Sequence, residues 1–484
     1  MIKNISDYSF GSFISILILF LTIPFFTRYL TPEDFGVLAI YTTFGSITTN
    51  LLTIGIFAAT SRYYYKEINN PIYFSRLNYT NFLFIIIMFT IGGLIVWSLA
   101  DKIAFYLFNN KIGGEIILWS YLGGCLSNIY SYLNSLLVTQ QRSKIYALIQ
   151  VSHSVLSVGL AIIFIMLFSL TFYSRIYGGV ITYFILMIVL FYKQKKYFLP
   201  QWSLKALIRS LKFSYPSVPG TVISLVHQGF DKVMLTNMRG LFTLGNYQMA
   251  LKIGEINKIL MNTIVQAWTP FFMHKAELKT EESNLEIVNR YQEIVMAFNY
   301  VCILIAFFAE EIIILLTTEP FYPSMYIVPI IVMYVLFNYS IGTIAKPQVV
   351  FAEKLICILY TSIYSVIINI ILNIILIPIY GGIGAALATG VASVIGSLIL
   401  LYYAQKYHNL PMNFFKLFGQ YILFIIFLIP IYFLMYSELS MVTKILSKIL
   451  LLIIYFWLTL KLRFIYFYRI KDIIVKINPG LYFK

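Results

Sequence analysis

Apolar blocks of roughly 18–25 residues recur along the whole chain, and few charges interrupt them. A helix needs about 20 such residues to cross ~30 Å of hydrocarbon. Lipid offers backbone N–H and C=O groups no water, so each block must close its hydrogen bonds in a helix or a closed barrel. These runs are continuous and not alternating ten-residue segments, which selects helices. The expectation is an all-α integral membrane protein of about fourteen transmembrane helices. The expected spans are 9–27, 35–59, 77–100, 115–138, 145–170, 175–192, 215–238, 242–270, 293–317, 323–344, 355–378, 382–404, 416–436 and 443–463. Composition agrees, with 60% hydrophobic and 11% charged residues, against about a quarter charged in a soluble domain.

A net charge of +16 in a soluble protein would suggest a nucleic-acid partner. Here it reads as topology, because Lys and Arg gather in cytoplasmic loops. With both termini cytoplasmic, about 25 of the 35 Lys and Arg fall in inside segments and about 8 outside. Cys125, Cys302 and Cys357 lie inside apolar blocks at a spacing that fits neither a disulfide framework nor a zinc site. Ser6–Phe26 is long and leads into Arg28, so it reads as a first span and not as a cleaved signal.

Two inside segments read as surface helices. In Trp202–Phe213, Leu204, Leu207, Ile208 and Leu211 form an apolar stripe with Lys205, Arg209 and Lys212 opposite, which suits a helix lying among anionic headgroups. Positions 274–290 mix acids and bases, as a solvated helix between spans does. No outside loop exceeds about a dozen residues, which leaves no room for an external catalytic domain. A faint internal echo links Thr31–Gly36, after span one, with Gly240–Gly245, after span seven. Two related lobes follow as an expectation. They comprise 1–195 (spans one to six) and 215–405 (spans seven to twelve), joined by a cytoplasmic amphipathic linker over 196–214. Spans thirteen and fourteen occupy 406–464, and 465–484 is a basic cytoplasmic tail.

No catalytic constellation is present: the chain has no Walker-type loop, GxSxG, HExxH or CxxC, and its four His are scattered. No cofactor or metal is expected. Polar stripes stand out instead. Thr221, Ser224, Gln228 and Asp231 share one face of span seven, and Gln248, Lys252, Glu255, Asn262 and Gln266 share one face of span eight. A charge at membrane depth costs ~2.5–3.5 kcal/mol on insertion scales, so Asp231, Lys252 and Glu255 require partners or water. Asp231 is in reach of Lys252, and Glu255 of Lys252 or Lys258. The functional reading is a hydrated central cavity lined by spans one, two, seven and eight; the plainer reading is an ion pair that only fixes packing. Arg28 and Arg62, at opposite ends of the first two spans, offer planar donor sets suited to phosphate, although Arg62 reads somewhat better as an ordinary inside anchor. Pro24, Pro216, Pro219 and Gly220 mark possible hinges. Gly384, Ala388, Ala392 and Gly396 repeat every fourth residue, which is a close-packing face more than a site.

Four stretches, in order, resemble one family. They are Arg28-Tyr29-Leu30-Thr31-Pro32-Glu33-Asp34-Phe35-Gly36; Phe213-Ser214-Tyr215-Pro216 with Asp231-Lys232; Leu244-Gly245-Asn246-Tyr247 through Lys252 with Ala267-Trp268-Thr269-Pro270-Phe271; and Asn369 through Asn373 with Ile377-Pro378-Ile379-Tyr380-Gly381 and Gly384-Ala385-Ala386. Together they resemble the polysaccharide transporters, the O-antigen and capsule repeat-unit flippases (Wzx type) of the multidrug/oligosaccharidyl-lipid/polysaccharide (MOP) exporter superfamily. The resemblance implies two six-helix lobes around a central cavity plus two C-terminal helices, alternating access, and residence in a bacterial cytoplasmic (inner) membrane. The implied cargo is an undecaprenyl-pyrophosphate-linked oligosaccharide moved to the outer leaflet. Membrane lipids, a polysaccharide polymerase and chain-length machinery are the implied partners. Lys232 stands where the family would carry Arg as readily, which leaves the charge intact.

The residues fit such a cargo: Lys252, Lys258 and Arg28 attract pyrophosphate, and the Ser, Thr, Asn and Gln stripes serve sugar hydroxyls. A cation-coupled multidrug exporter of the same fold would prefer carboxylates in the N-terminal spans, which have essentially none after Asp34. A membrane sugar polymerase would carry a long outside loop or a His–Asp pair, and neither is evident.

Overall fold

The computed structural model describes residues 11, 13–15, 17–67, 69–108 and 112–462; of Gln228, Leu260 and Thr263 it describes the backbone only. The basic tail expected over 465–484 lies outside the described residues. Within them every regular element is helical. Ten helices are long and apolar enough to span a membrane. Three more, Glu115–Thr139, Val218–Gly254 and Asn257–Glu277, are long enough but more polar. The last two carry the polar stripes of spans seven and eight.

Several expected spans differ in extent. Span three is a 38-residue helix, Pro71–Phe108, ~57 Å long at 1.5 Å per residue. Pro71 starts it, its interior contains no further proline, and the Gly92-Gly93 pair does not end it. Span two ends early: the helix Pro32–Thr53 gives way to Ile56–Lys66 through left-handed Ile54 (φ 49°) and Gly55 (φ 66°). A β-branched residue seldom adopts that conformation, so the break carries backbone strain. The charged stretch 274–290 is no separate helix. It is shared between the ends of Asn257–Glu277 and Glu281–Phe307, because Thr280 caps the second helix by accepting a hydrogen bond from Ser283 N. Spans seven and eight form one element, Val218–Gly254, broken at Gly240 (φ 85°, ψ 173°). Span eight is then interrupted at Glu255–Ile256 before Asn257–Glu277.

By its internal contacts the chain forms two compact units. The first contains Met1–Met249, Ile314–Pro323 and Val366–Ala388; the second contains Ala250–Ile313, Ser324–Ser365 and Thr389–Lys484. In the first unit a buried polar knot ties three helices. Tyr132 donates to Asn78 Oδ1 (2.6 Å), Asn81 donates to Thr60 (2.9 Å), and Asn78 donates to the Tyr197 carbonyl (2.8 Å). Buried amide and hydroxyl groups stay affordable only when bonded in this way.

The linker helix Leu204–Ser214 starts at Ser203, whose side chain accepts from Ala206 N. Its expected apolar stripe is divided. Ala206, Leu207, Ser210 and Ser214 turn inward, and Ala206 packs with Ala59, Tyr63 and Leu77. Leu204 and Ile208 face out beside exposed Lys205 and Lys212. Arg209, expected on the headgroup-facing side with Lys205 and Lys212, is half-buried instead. It pairs with Glu67 (2.9 Å), donates to Tyr73 (3.0 Å) and lies 4.5 Å from the Tyr63 ring centroid. The outward face therefore sets apolar and basic side chains next to each other, as an interfacial helix does.

In the second unit Val328–Phe351 is the central helix, buried on nearly every side and packed against Asn257–Glu277, Glu281–Phe307 and Phe414–Tyr436. The last helix, Met441–Lys461, is fastened by buried charges. Lys444 reaches Glu310 (2.8 Å), and Lys448 reaches both Glu310 (2.9 Å) and Glu311 (2.6 Å).

Removing one partner of such a cluster leaves a buried charge uncompensated, at a cost of about 3–5 kcal/mol. Lys448→Met is therefore expected to lower the thermal midpoint in detergent by a matching amount, while Lys448→Arg keeps most of it. An unchanged midpoint in Lys448→Met would mean that water reaches the cluster. A spin label at Ile208→Cys is expected to read as lipid-exposed, quenched by oxygen more than by a water-soluble relaxant; the reverse order would place that face in water.

Candidate functional site

Thr31 begins the second span with a reciprocal cap. Its hydroxyl accepts from Asp34 N (3.3 Å), and its own N–H donates to Asp34 Oδ2 (2.9 Å). Pro32 follows at the first helical position, where its missing N–H costs nothing. The Thr-Pro-Glu-Asp motif is thus a device for turning the chain sharply at a helix end. The turn from Thr31 to Gly36 meets the turn from Gly240 to Gly245 in reciprocal contact. A Cβ on Gly36 would overlap the carbonyl oxygen of Leu241, and a Cβ on Gly245 would overlap that of Pro32. The internal echo in the sequence is therefore a physical pairing of two hairpin turns. Segment Ile314–Pro323 closes over them. Thr318 donates to the Thr27 carbonyl (2.9 Å), Asn246 donates to the Pro320 carbonyl (3.2 Å), and Phe321 meets Phe35 edge to face at 5.1 Å.

Beside this clasp, Arg239 caps a second helix end. Its guanidinium donates to the carbonyls of Ile377 (3.3 Å), Pro378 and Ile379 (3.0 Å). A cation there complements the negative end of helix Ile356–Tyr380. Two stretches singled out separately in the sequence, the end of span seven and the Ile377–Tyr380 run, are one contact.

Asp231 is buried within the first unit and takes its hydrogen bonds there. Tyr247 OH donates to Oδ2 (2.8 Å) and Lys232 N to Oδ1 (2.8 Å). Lys232 Nζ in turn donates to Thr43 Oγ1 (3.2 Å), so spans two, seven and eight share one polar cluster. Gln248, next to Tyr247, is half-buried, and its enclosed Nε2 lacks a hydrogen-bond partner. Arg28, on Ile23–Tyr29, and Arg62, on Ile56–Lys66, are both exposed. Gln228 lies on Val218–Gly254 with its backbone helical.

In the second unit the expected Glu255–Lys258 ion pair is formed, and Tyr334 also donates to Glu255 Oε1 (3.1 Å). Both charges sit at the interruption of span eight, where Lys258 N bonds to Glu255 O (2.9 Å) and Ile259 N to Ile256 O (3.3 Å), a local tightening to 3₁₀ geometry. Lys252 and Asn262 flank it and are exposed. Sequence reading missed Tyr247, Thr43, Tyr334 and Arg239. Each is a partner across a turn or on another helix. The one available signal was that a buried acid or a helix-end carbonyl requires a donor.

These elements define a polytopic helical membrane protein. Among solved structures it resembles the lipid II flippase MurJ in an inward closed conformation, with a TM-score of 0.70 at 17% identity over 93% of this chain and 97% of that one. An inward-facing multidrug resistance MATE family transporter of the MOP superfamily gives 0.62 at 14% identity, over 83% and 94%. A MOP superfamily transporter from Pyrococcus furiosus Vc1 gives 0.54 at 14%, over 84% and 95%. At such identities the likeness is one of fold. No curated protein matches the chain by sequence. Residues 1–275 match the family model for the polysaccharide biosynthesis protein, more than half the chain, and the chain belongs to that family.

The clasp makes a stability prediction. Gly245→Ala places a methyl against the Pro32 backbone and is expected to cost about 1–3 kcal/mol, the usual range for overpacking. Gly220→Ala, where a Cβ meets nothing within 4 Å, is expected to leave the thermal midpoint unchanged or slightly raised. Equal midpoints for the two variants would show that the turns do not bear on each other.

Proposed function

We propose that the protein is a flippase that moves undecaprenyl-pyrophosphate-linked oligosaccharide repeat units from the cytoplasmic to the outer leaflet, by alternating access, for O-antigen or capsular polysaccharide synthesis. Membership of the polysaccharide biosynthesis family and the MOP-type fold support a carrier in glycan assembly. The observation that carries the reading is the exposure of Lys252, Asn262 and Gln266 on helices of membrane-spanning length. Three polar side chains exposed together on such helices, a lysine among them, suit a face that looks onto water and not onto hydrocarbon. A water-lined path with a cation suits a cargo whose head is an anionic pyrophosphate and whose body is sugar.

In this reading the protein lies in the bacterial inner membrane with both termini cytoplasmic. Segments 1–195 and 215–405 act as the moving lobes, and 406–464 adds two helices. Lys252, Lys258 and Arg28 meet phosphate, and Arg62 does so at the cytoplasmic end. Gln228, Gln248 and Asn262 serve sugar hydroxyls, while Asp231 and Glu255 hold the cations and tyrosines around them in place. The work is transport and not catalysis, with a polymerase and chain-length machinery receiving the product.

The test is reconstitution in liposomes with a fluorescent undecaprenyl-pyrophosphate oligosaccharide, read by its accessibility to a membrane-impermeant quencher. Protein-dependent movement, reduced at least tenfold in Lys252→Ala at equal protein level, is expected. Full movement in that variant removes Lys252 from the path. No movement with any of several glycans, together with efflux of cationic dyes, overturns the flippase in favour of a drug exporter.

A further inference from the structure

Within the first unit, helices Glu115–Thr139, Ser143–Phe168 and Phe172–Gln194 enclose a second polar centre that none of the residues above belongs to. His153 packs against two tyrosines in a triangle of rings, its centroid 5.4 Å from that of Tyr130 at 30° and 4.8 Å from that of Tyr183 at 36°. Tyr130 and Tyr183 are 5.5 Å apart. The aromatic cluster they make, a plate only in the ring edges it presents, extends through hydroxyl and amide groups. Tyr130 OH donates to Gln150 Oε1 (3.2 Å), and Gln150 Nε2 donates to Tyr146 OH (2.9 Å). Arg175 acts electrostatically on both His153 and Tyr183, and its guanidinium carbon lies 4.4 Å over the Phe26 ring centroid.

Two groups in this centre are incomplete. Arg175 Nη1 and His153 Nε2 are enclosed, and neither has a hydrogen-bond partner. Among the described residues Arg175 forms no ion pair, whereas the deeply buried lysines 444 and 448 have carboxylates. A guanidinium without an anion in a membrane-spanning helix is a functional feature by default. Its planar donor set fits the two oxygens of a carboxylate or phosphate. The neighbouring aromatic plate, edged with hydroxyl and amide groups, fits the face and hydroxyls of a pyranose ring.

We propose that this centre binds an oxyanion carried on a sugar ring, with Arg175 taking the anion, the Tyr130–His153–Tyr183 plate taking the ring, and His153 Nε2 and Gln150 taking hydroxyls. It deepens the flippase reading and rests on it for its place in transport, because it gives the cargo an acidic sugar or a sugar phosphate. Those two sources of the same chemistry are separable by experiment.

The purified protein in nanodiscs is titrated with glucuronate, glucose 1-phosphate and glucose, read by Trp fluorescence; Trp119 meets Tyr177 at 5.0 Å on two of the same helices. At least one anionic sugar is expected to bind tenfold or more tightly than glucose. Glucuronate alone above glucose assigns a uronic acid of the repeat unit; glucose 1-phosphate alone assigns the first sugar beside the lipid phosphate. Arg175→Gln is expected to erase the preference, and Arg175→Lys, which keeps the charge and loses the fork, to retain part of it. His153→Ala is expected to weaken all three sugars without changing their order. Equal binding of charged and neutral sugars by the natural protein, or an undiminished preference in a monodisperse Arg175→Gln protein, overturns the proposal. Should Arg175→Gln not fold, an undiminished affinity in Arg175→Lys does so. The assay involves no transport. Anion-selective binding without lipid movement leaves the centre standing and removes the flippase, and lipid movement without anion preference does the reverse.

Discussion

In hydrocarbon a polar group must bring its own partner, and this one constraint organises the protein more than any single contact does. Helices satisfy it along their length, so the informative places are where a helix stops. Three interruptions among the described residues come with their own donors and acceptors. The turn at Thr31 is closed by the reciprocal bonds of Thr31 and Asp34. The carbonyls freed at Ile377–Ile379 are met by Arg239. The interruption at Glu255–Ile256 is bridged by short-range backbone bonds, with the Glu255–Lys258 pair and Tyr334 beside it. The break at Ile54–Gly55 differs, since a β-branched residue is held there in a left-handed conformation. That strain has to be offset by the surrounding packing.

Close backbone approach is the second organising device. Where two turns must touch, a Cβ is an obstruction, and Gly36 and Gly245 remove it at equivalent places in the two echoing segments. The pairing explains why the echo exists in the sequence. Each turn presents a glycine to the other's backbone, so the contact constrains both in the same way. Segment Ile314–Pro323 then bonds to Thr27, just before the first turn, and to Asn246, just after the second, which ties three distant stretches of chain together within the first unit.

How legible this was in the sequence follows from the range of each interaction. Helix length and hydrophobicity are local properties, so membrane-spanning helices could be read directly. The Glu255–Lys258 pair was legible for the same reason, since its members lie three residues apart in the chain. The extent of Pro71–Phe108 was not, because a polar helix end leaving the membrane has no composition to mark it. The linker helix shows how a pattern can be right and its assignment incomplete. Leu204, Leu207 and Ile208 do recur at helical spacing, but Leu207 packs inward while the other two face out. Arg209 is drawn to Glu67 and Tyr73, residues more than a hundred positions away. Tyr247 as the partner of Asp231 was hidden similarly, because it depends on how the chain folds back at Gly240.

The chain buries charge in two different ways, and the contrast bears on function. Glu310, Glu311, Lys444 and Lys448 form a closed group of two acids and two bases, in which every charge has an opposite one within 3 Å. Such a group fastens one helix to another and has little capacity left for a ligand. Arg175 is open by comparison: its guanidinium is covered by Phe26, its Nη1 has no acceptor, and the nearby aromatic plate also ends in an unpartnered nitrogen, His153 Nε2. Burying a cation without its anion is unfavourable in the resting protein, yet it becomes favourable when an anion arrives with its own apolar or ring-shaped scaffold. In the proposed flippase that arrangement has a use, because a site completed only by cargo makes the loaded and empty proteins differ in energy, and a conformational change can be biased only by such a difference. Fully paired charges would hold the helices equally well in both situations and give the cargo nothing to bias.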